Sequence, residues 1–178
     1  MIYIIEHLEP RLGKWCFEEY RHISQIVGKS NLWFTNTRAK TLKKLGKVIS
    51  KKAERLGLER VCVLDPFAKK ALSSKDAKRF DYFIFGGILG DNPPQKRTGE
   101  VKIKGAERRN MGKVQFSTDN AVFVAKNILA GKKLKFMENP EIPITKNMSV
   151  LLPYRYAVIG GKPLIPKEIL NLLKRAYF

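Results

Sequence analysis

Four short clusters carry residue types that suit chemistry. Glu6-His7-Leu8-Glu9-Pro10 sets an imidazole between two carboxylates. His7 there suits either a general base or a polar residue satisfied at a strand end. Leu64-Asp65-Pro66-Phe67 puts an acid and a proline after an apolar run. Gly86-Gly87-Ile88-Leu89-Gly90-Asp91 holds three glycines in five positions. Such glycines let a ligand approach the main chain. Free N–H and C=O groups can then bind an adenine or a carboxylate, with Ile88 and Leu89 as apolar walls. An ordinary tight turn fits Gly86-Gly87 equally well. Gln115-Phe116-Ser117-Thr118-Asp119 ends in a helix start, which either holds a polar ligand group on its free amides or simply caps the helix. Neither Gly-x-Gly-x-x-Gly nor Gly-x-x-x-x-Gly-Lys-Ser/Thr occurs, which argues against nicotinamide and P-loop chemistry.

The elements that must position these clusters follow from periodicity. Residues 2–6, 31–35, 61–64 and 80–85 are short apolar runs and predict strands, with a shorter one over 114–116. Trp15, Tyr20, Ile23 and Ile26 form an apolar stripe over 14–26, and Gly28 stops that helix. The basic stretch 41–56 predicts a helix with a break at Gly46. Ser74 is expected to cap a short helix to Lys78, and Ser117 or Thr118 one to Leu129, closed by Gly131. Residues 86–110 predict a long irregular segment, a length that is usually functional. Further strands are expected over 134–137 and 149–152, then a hairpin turning at Gly160-Gly161. Pro166 opens a terminal helix. The alternation predicts an α/β fold, a mainly parallel sheet with helices on both faces, in one domain over 1–178. In such sheets ligands bind beyond the carboxyl ends of the strands, where all four clusters fall.

Composition narrows the function. The net charge of +19 attracts polyanions, so an RNA-binding surface is expected. Cys16 and Cys62 lie far apart in apolar stretches, which predicts buried thiols and neither a disulfide framework nor a metal site. The apolar amino terminus is too short for a signal peptide, and no apolar run reaches the ~20 residues that span a bilayer. A cytoplasmic protein with no membrane partner is expected.

The clusters, in this order, resemble the SPOUT superfamily of methyltransferases. The likeness is close to a family first described as predicted RNA methyltransferases, whose eukaryotic members include a protein arginine methyltransferase acting on a small-subunit ribosomal protein. It rests on Tyr3-Ile4-Ile5-Glu6-His7-Leu8-Glu9, Val63-Leu64-Asp65-Pro66, the run from Phe80 through Asp91 with Pro93-Pro94 and Arg97-Thr98, Gly112 with Gln115, Thr118-Asp119 and Ala121, and Pro153-Tyr154-Arg155-Tyr156. Phe116-Ser117 stands where the family tends to have Met-Thr. The resemblance implies a trefoil knot over roughly 82–129 and an S-adenosylmethionine site. That site would be built from Leu64, Asp65, Pro66 and Phe67, from Gly86, Gly87, Ile88, Leu89 and Gly90, and from Gln115, Phe116, Ser117, Thr118 and Ala121.

Arginine as methyl acceptor needs carboxylates to orient it and take its proton. Asp91 is the first candidate, then Glu6 and Glu9, then Asp119. His7 and Arg97 are candidates for holding substrate, Arg97 through a phosphate or an acidic group. The expected function is an S-adenosylmethionine-dependent methyltransferase acting on an arginine of a ribosomal protein. The alternatives are an RNA methyltransferase that grips phosphates through the basic region 40–55, and a non-catalytic RNA-binding ribosome factor. Monomer and homodimer both stay open.

Overall fold

The structure, a computed structural model, describes residues 1–87 and 97–176, with the backbone alone at positions 97 and 98. Strand β1 (Ile2–His7) leads through helix α1 (Lys14–Val27) to β2 (Leu32–Thr35) and the two-residue β3 (Lys47–Val48). Strands β4 (Val61–Leu64), β5 (Tyr82–Gly87) and β6 (Glu107–Arg109) complete a six-stranded sheet in the order β3-β2-β1-β5-β4-β6. Every pairing in it is parallel. Helix α2 (Thr118–Leu129) follows.

Alternation along the strands splits the core in two. Tyr3, Ile5, Leu32, Phe34, Cys62, Phe83 and Phe85 face α1 and α2, packing on Tyr20, Ile23, Val122 and Ala125. Ile4, Val63 and Ile84 face the other way, onto Ala53 and Val101. The two long helices thus share one face. Short helical turns and extended chain, including Ala53–Arg55, cover the second. Burial pushes both thiols, Cys16 and Cys62, up to about 12.

Two expectations are corrected. The basic stretch 41–56 is not a helix: it forms a turn at Lys40–Lys44, strand β3 and the turn Ala53–Arg55. Leu42 and Leu45 anchor it on the α1 face and Ala53 on the opposite one, so it wraps around the sheet edge. The strand expected at 114–116 is only a bridge between Phe116 and Arg155. The sheet's edge is instead Glu107–Arg109, inside the segment expected to be irregular. No apolar residue marks that strand; ion pairs hold it, Arg108 to Asp65 at 2.9 Å and Arg109 to Asp76 at 3.2 Å.

Gly46 shows how tightly the wrap is made. A β-carbon there would lie 2.5 Å from the Leu32 carbonyl oxygen. Gly46→Ala is therefore expected to cost about 1–3 kcal/mol. Urea denaturation would show a lower midpoint at unchanged slope.

After α2 come β7 (Lys135–Glu138), the hairpin β8 (Glu141–Thr145) and β9 (Met148–Leu151), then β10 (Arg155–Ile159), β11 (Lys162–Pro163) and α3 (Lys167–Ala176). Strands β7, β10 and β11 form an antiparallel sheet. The hairpin into β11 turns at Gly160-Gly161, both in the left-handed region, as the sequence predicts. Strand β8, with Pro143 in its middle, was not expected. A small core of Ile144, Leu152, Tyr156 and Leu173, with Trp15 from α1, joins this part to the rest. Among the described residues no helix is long and apolar enough to cross a membrane.

Candidate active site

The carboxyl ends of β4 and β5 and the start of α2 enclose a cavity of about 370 Å³. That is within the ~300–1,000 Å³ usual for small-molecule sites.

Its first wall is the turn after β4. Asp65 accepts from the Phe67 amide at 3.0 Å and from Arg108 at 2.9 Å, and its own amide donates to the Arg109 carbonyl at 2.9 Å. The carboxylate thus shapes its loop in an Asx turn. Phe67 stands 59% exposed at the rim.

The second wall is the end of β5. Phe85 and Gly86 line the cavity. Gly87 does not: it packs behind, where a β-carbon would lie 2.8 Å from Ile5 Cγ2 and inside contact distance of the Tyr20 hydroxyl. Ile88, Leu89, Gly90 and Asp91 lie outside the described residues.

The third wall runs from Met111 to Ala121. Asn110 staples it to the first, its Nδ2 donating to the Ala68 carbonyl at 2.8 Å and its Oδ1 accepting from the Gly112 amide at 3.0 Å. Gln115 accepts the Arg155 amide on its carbonyl at 2.8 Å. Its side-chain Oε1 is buried with no hydrogen-bond partner among the described residues. Arg155 lies over the Phe136 ring at 4.3 Å, beside Phe116. Thr118 and Ala121 close the wall. Ser117 does not line it. Its hydroxyl donates to Asp119 Oδ1 at 2.7 Å.

The cavity therefore gathers Leu64, Asp65, Pro66, Phe67, Gly86, Gln115, Phe116, Thr118 and Ala121 from the expected set. Sequence reasoning missed Phe85, Arg109, Met111, Gly112, Lys113 and Val114. Gly112, six positions ahead of the start of α2, was the available signal, and the strand expected at 114–116 hid it.

The acid and imidazole candidates scatter. Glu6 is a correction: alternation on β1 turns it to the face away from α1, where its carboxylate accepts from the Thr35 hydroxyl and, at 3.0 Å, from the Ala53 amide. His7 lies on the α1 face, 4% exposed, with Nδ1 2.8 Å from the Tyr20 hydroxyl. Burial lowers its pKa, and the nearby Glu9 charge partly opposes this. Neither His7 nor Glu9 is among the residues lining the cavity, and Glu9 is half-buried near His7. Asp119 is 2% exposed and engaged by His22 at 2.7 Å, by Ser117 and by the Asn120 amide at 2.8 Å. Arg97 opens the helical turn Arg97–Glu100, and its side chain is outside the described residues.

Behind Thr118 lies an acid the sequence did not single out. Glu19 of α1 is buried, accepts the Trp15 indole N–H at 3.0 Å and is supported by Thr118. Burial and the Asp119 charge push it up to about 8.

A parallel sheet with a partly open, mainly apolar cavity at its strand ends defines a small-molecule-binding α/β protein. The chain matches the family described as protein arginine N-methyltransferase SFM1-like over residues 2–177, and it belongs to that family. It is 38% identical to protein arginine N-methyltransferase SFM1 of Saccharomyces cerevisiae, over 98% of this chain and 95% of the yeast protein. The crystal structure of that yeast arginine methyltransferase complexed with SAM is similar at a TM-score of 0.90 and 36% identity, covering 98% of this chain and 90% of that one. A dual-specific Trm10 from Thermococcus kodakaraensis, 20% identical, shares the fold at a TM-score of 0.55 over 75% of this chain and 95% of that one.

Proposed function

We propose that this chain methylates an arginine side chain of a protein, with S-adenosylmethionine as donor and a ribosomal protein as target class. One observation supports it most: in a member of an arginine methyltransferase family, the three segments picked out by residue type wall one cavity of cofactor size.

The cavity fits the donor. Leu64, Pro66, Phe67, Phe85 and Phe116 give apolar surface for a nucleoside, and Gln115 Oε1, without a partner among the described residues, offers an acceptor to an amino or ammonium group. Thr118 and Ala121 stand at the start of α2, and Gly86 exposes main chain. Gly87 and Ser117 support from behind, and Ile88, Leu89 and Gly90 complete the set by their place in the sequence. When bound, S-adenosylmethionine supplies an electrophilic methyl on a sulfonium. The chain's own contribution is position, which can supply most of the acceleration of an in-line displacement. Asp91, with Glu9 second, is the proposed acceptor-side carboxylate, orienting the guanidinium and taking its proton. Arg97 is the proposed holder of an acidic or phosphate group on the target. The trefoil threading over 82–129, the single domain over 1–178 and a cytoplasmic setting go with this proposal.

Incubation with methyl-labelled S-adenosylmethionine and ribosomal fractions tests it. Label that resists nuclease and is lost to protease is the expected result. Label lost to nuclease would make the chain an RNA methyltransferase. No label, together with no calorimetric binding of S-adenosylmethionine, would leave a non-catalytic factor.

A further inference from the structure

The wrapped segment that replaces the expected helix collects charge. Arg38, Lys40, Lys43, Lys44, Lys47, Lys51, Lys52 and Arg55 are all exposed, and Glu54 is the one acid among residues 38–55. This net +7 is over a third of the chain's +19 excess, carried by 18 of 178 residues. None of the eight has a carboxylate within ion-pair distance among the described residues, whereas Arg60, Arg79, Arg108 and Arg109 elsewhere all do. The ammonium groups are not randomly disposed. Lys47 Nζ lies 4.2 Å above the Trp33 ring and Lys44 Nζ 5.0 Å above the Phe17 ring.

Lysines do guard exposed sheet edges against strand addition. That role accounts for Lys47 on β3 itself; the other seven lie outside the strand. The ridge does not line the cavity. Its β3 end lies three strand steps from β5, about 15 Å at the usual spacing, and its other end, at Ala53, packs on the sheet face turned away from α1 and α2. A polyanion seated on the ridge is thus a docked partner rather than the methyl acceptor.

We infer that the ridge formed by residues 38–55 docks the phosphate backbone of an RNA that is part of the same particle as the methyl-acceptor protein. This rests on the arginine methyltransferase reading and names its partner. The acceptor's guanidinium is itself cationic, and a surface carrying +19 repels a free basic protein. Bound to RNA, the same target presents a net negative surface that attracts the enzyme. The ridge then holds the phosphates while the arginine is presented to the methyl donor at the mouth of the cavity.

Fluorescence anisotropy of the full chain with a labelled single-stranded RNA of about 20 nucleotides, across a salt series, tests this. Each phosphate contact contributes about −0.7 to the slope of log K against log salt, so six contacts give roughly a 100-fold loss for a threefold rise in salt. Lys40, Lys43, Lys51 and Lys52, which make no aromatic contact among the described residues, are changed together to Gln. The expected result is a slope shallower by about 2–3 and binding at least about 10-fold weaker. Turnover on a short arginine peptide should be unchanged. A control removing the same charge at Lys132, Lys133, Lys146 and Lys174 should shift the slope far less. Equal losses in the two sets, or no loss in the ridge variant, overturn the proposal. Loss of peptide turnover in the parent protein would instead sink the arginine methyltransferase reading, so the two failures are distinguishable.

Discussion

Gly87→Ala is expected to lower methyl transfer by about two orders of magnitude and to destabilise the fold by roughly 2–3 kcal/mol. A β-carbon at this position meets the Tyr20 hydroxyl and Ile5 Cγ2. Neither can yield easily, since both residues are fully buried. The Tyr20 ring packs 5.1 Å from Phe34, and its hydroxyl is held by His7 at 2.8 Å. The strand end must move instead. Gly87 carries the hydrogen bond from the Leu8 amide at 3.2 Å, and its neighbour Gly86 lines the cavity. A displacement near 1 Å at a positioning element costs about 100-fold in rate. Calorimetric binding of S-adenosylmethionine should weaken in parallel with turnover. Adding Tyr20→Phe removes the hydroxyl that the new methyl strikes, so the double variant should recover part of both losses. Wild-type stability and turnover in Gly87→Ala would show that the end of β5 is not packed as described.

The cavity was legible because glycines, Asp-Pro and a helix start are local signals, and β4, β5 and α2 have strong apolar periodicity. What the sequence concealed depends on long-range partners. Asn120 had no apparent role between Asp119 and Ala121, yet it is fully buried. It donates to the Leu164 carbonyl at 2.9 Å and accepts from the Ala157 amide at 3.0 Å, joining α2 to β10 and the carboxyl-terminal part. Nothing in residues 115–121 announces a partner 44 positions away. Strand β6 was hidden for a similar reason: Glu107-Arg108-Arg109 has no apolar member and is held through Asp65 and Asp76. Glu6 misled in the opposite way. Its type suited catalysis, and only the direction of its side chain from β1, onto Thr35 and Ala53, shows a carboxylate that supports the fold. The basic stretch 41–56 has apolar spacing compatible with a helix. Its leucines and Ala53 are buried on opposite faces of the sheet, which one helix could not achieve.

Stability is expected to fall as pH rises from about 5 to about 8, and Glu19→Gln should abolish most of that decline. Burial, then the Asp119 charge, raises Glu19 from 4.5 to about 8. Between those values the folded chain holds a proton that the unfolded chain has released, so unfolding becomes easier with rising pH. The full stabilisation is present below 4.5 and is lost as pH passes through about 8. A tenfold difference in proton affinity between the folded and unfolded chain is worth about 1.4 kcal/mol, which allows a total of a few kcal/mol. His7 acts in the opposite sense. Its folded pKa lies below 6.5, so its contribution grows as pH rises toward 6.5 and adds nothing beyond. The decline above 6.5 is therefore mainly that of Glu19; Cys16 and Cys62, raised from 9.0 to about 12, add to it only as pH nears 9. Glutamine keeps the acceptor for the Trp15 indole and has no charge to lose, so the variant should match the parent below about pH 4.5, already exceed it at pH 6 and exceed it most at pH 8.5 in urea denaturation. Because Thr118 both supports Glu19 and lines the cavity, affinity for S-adenosylmethionine should weaken across the same pH range in the parent and stay level in the variant. A parent whose stability is flat from pH 6.5 to 8.5 would mean that Glu19 is ionised throughout, despite its burial beside Asp119.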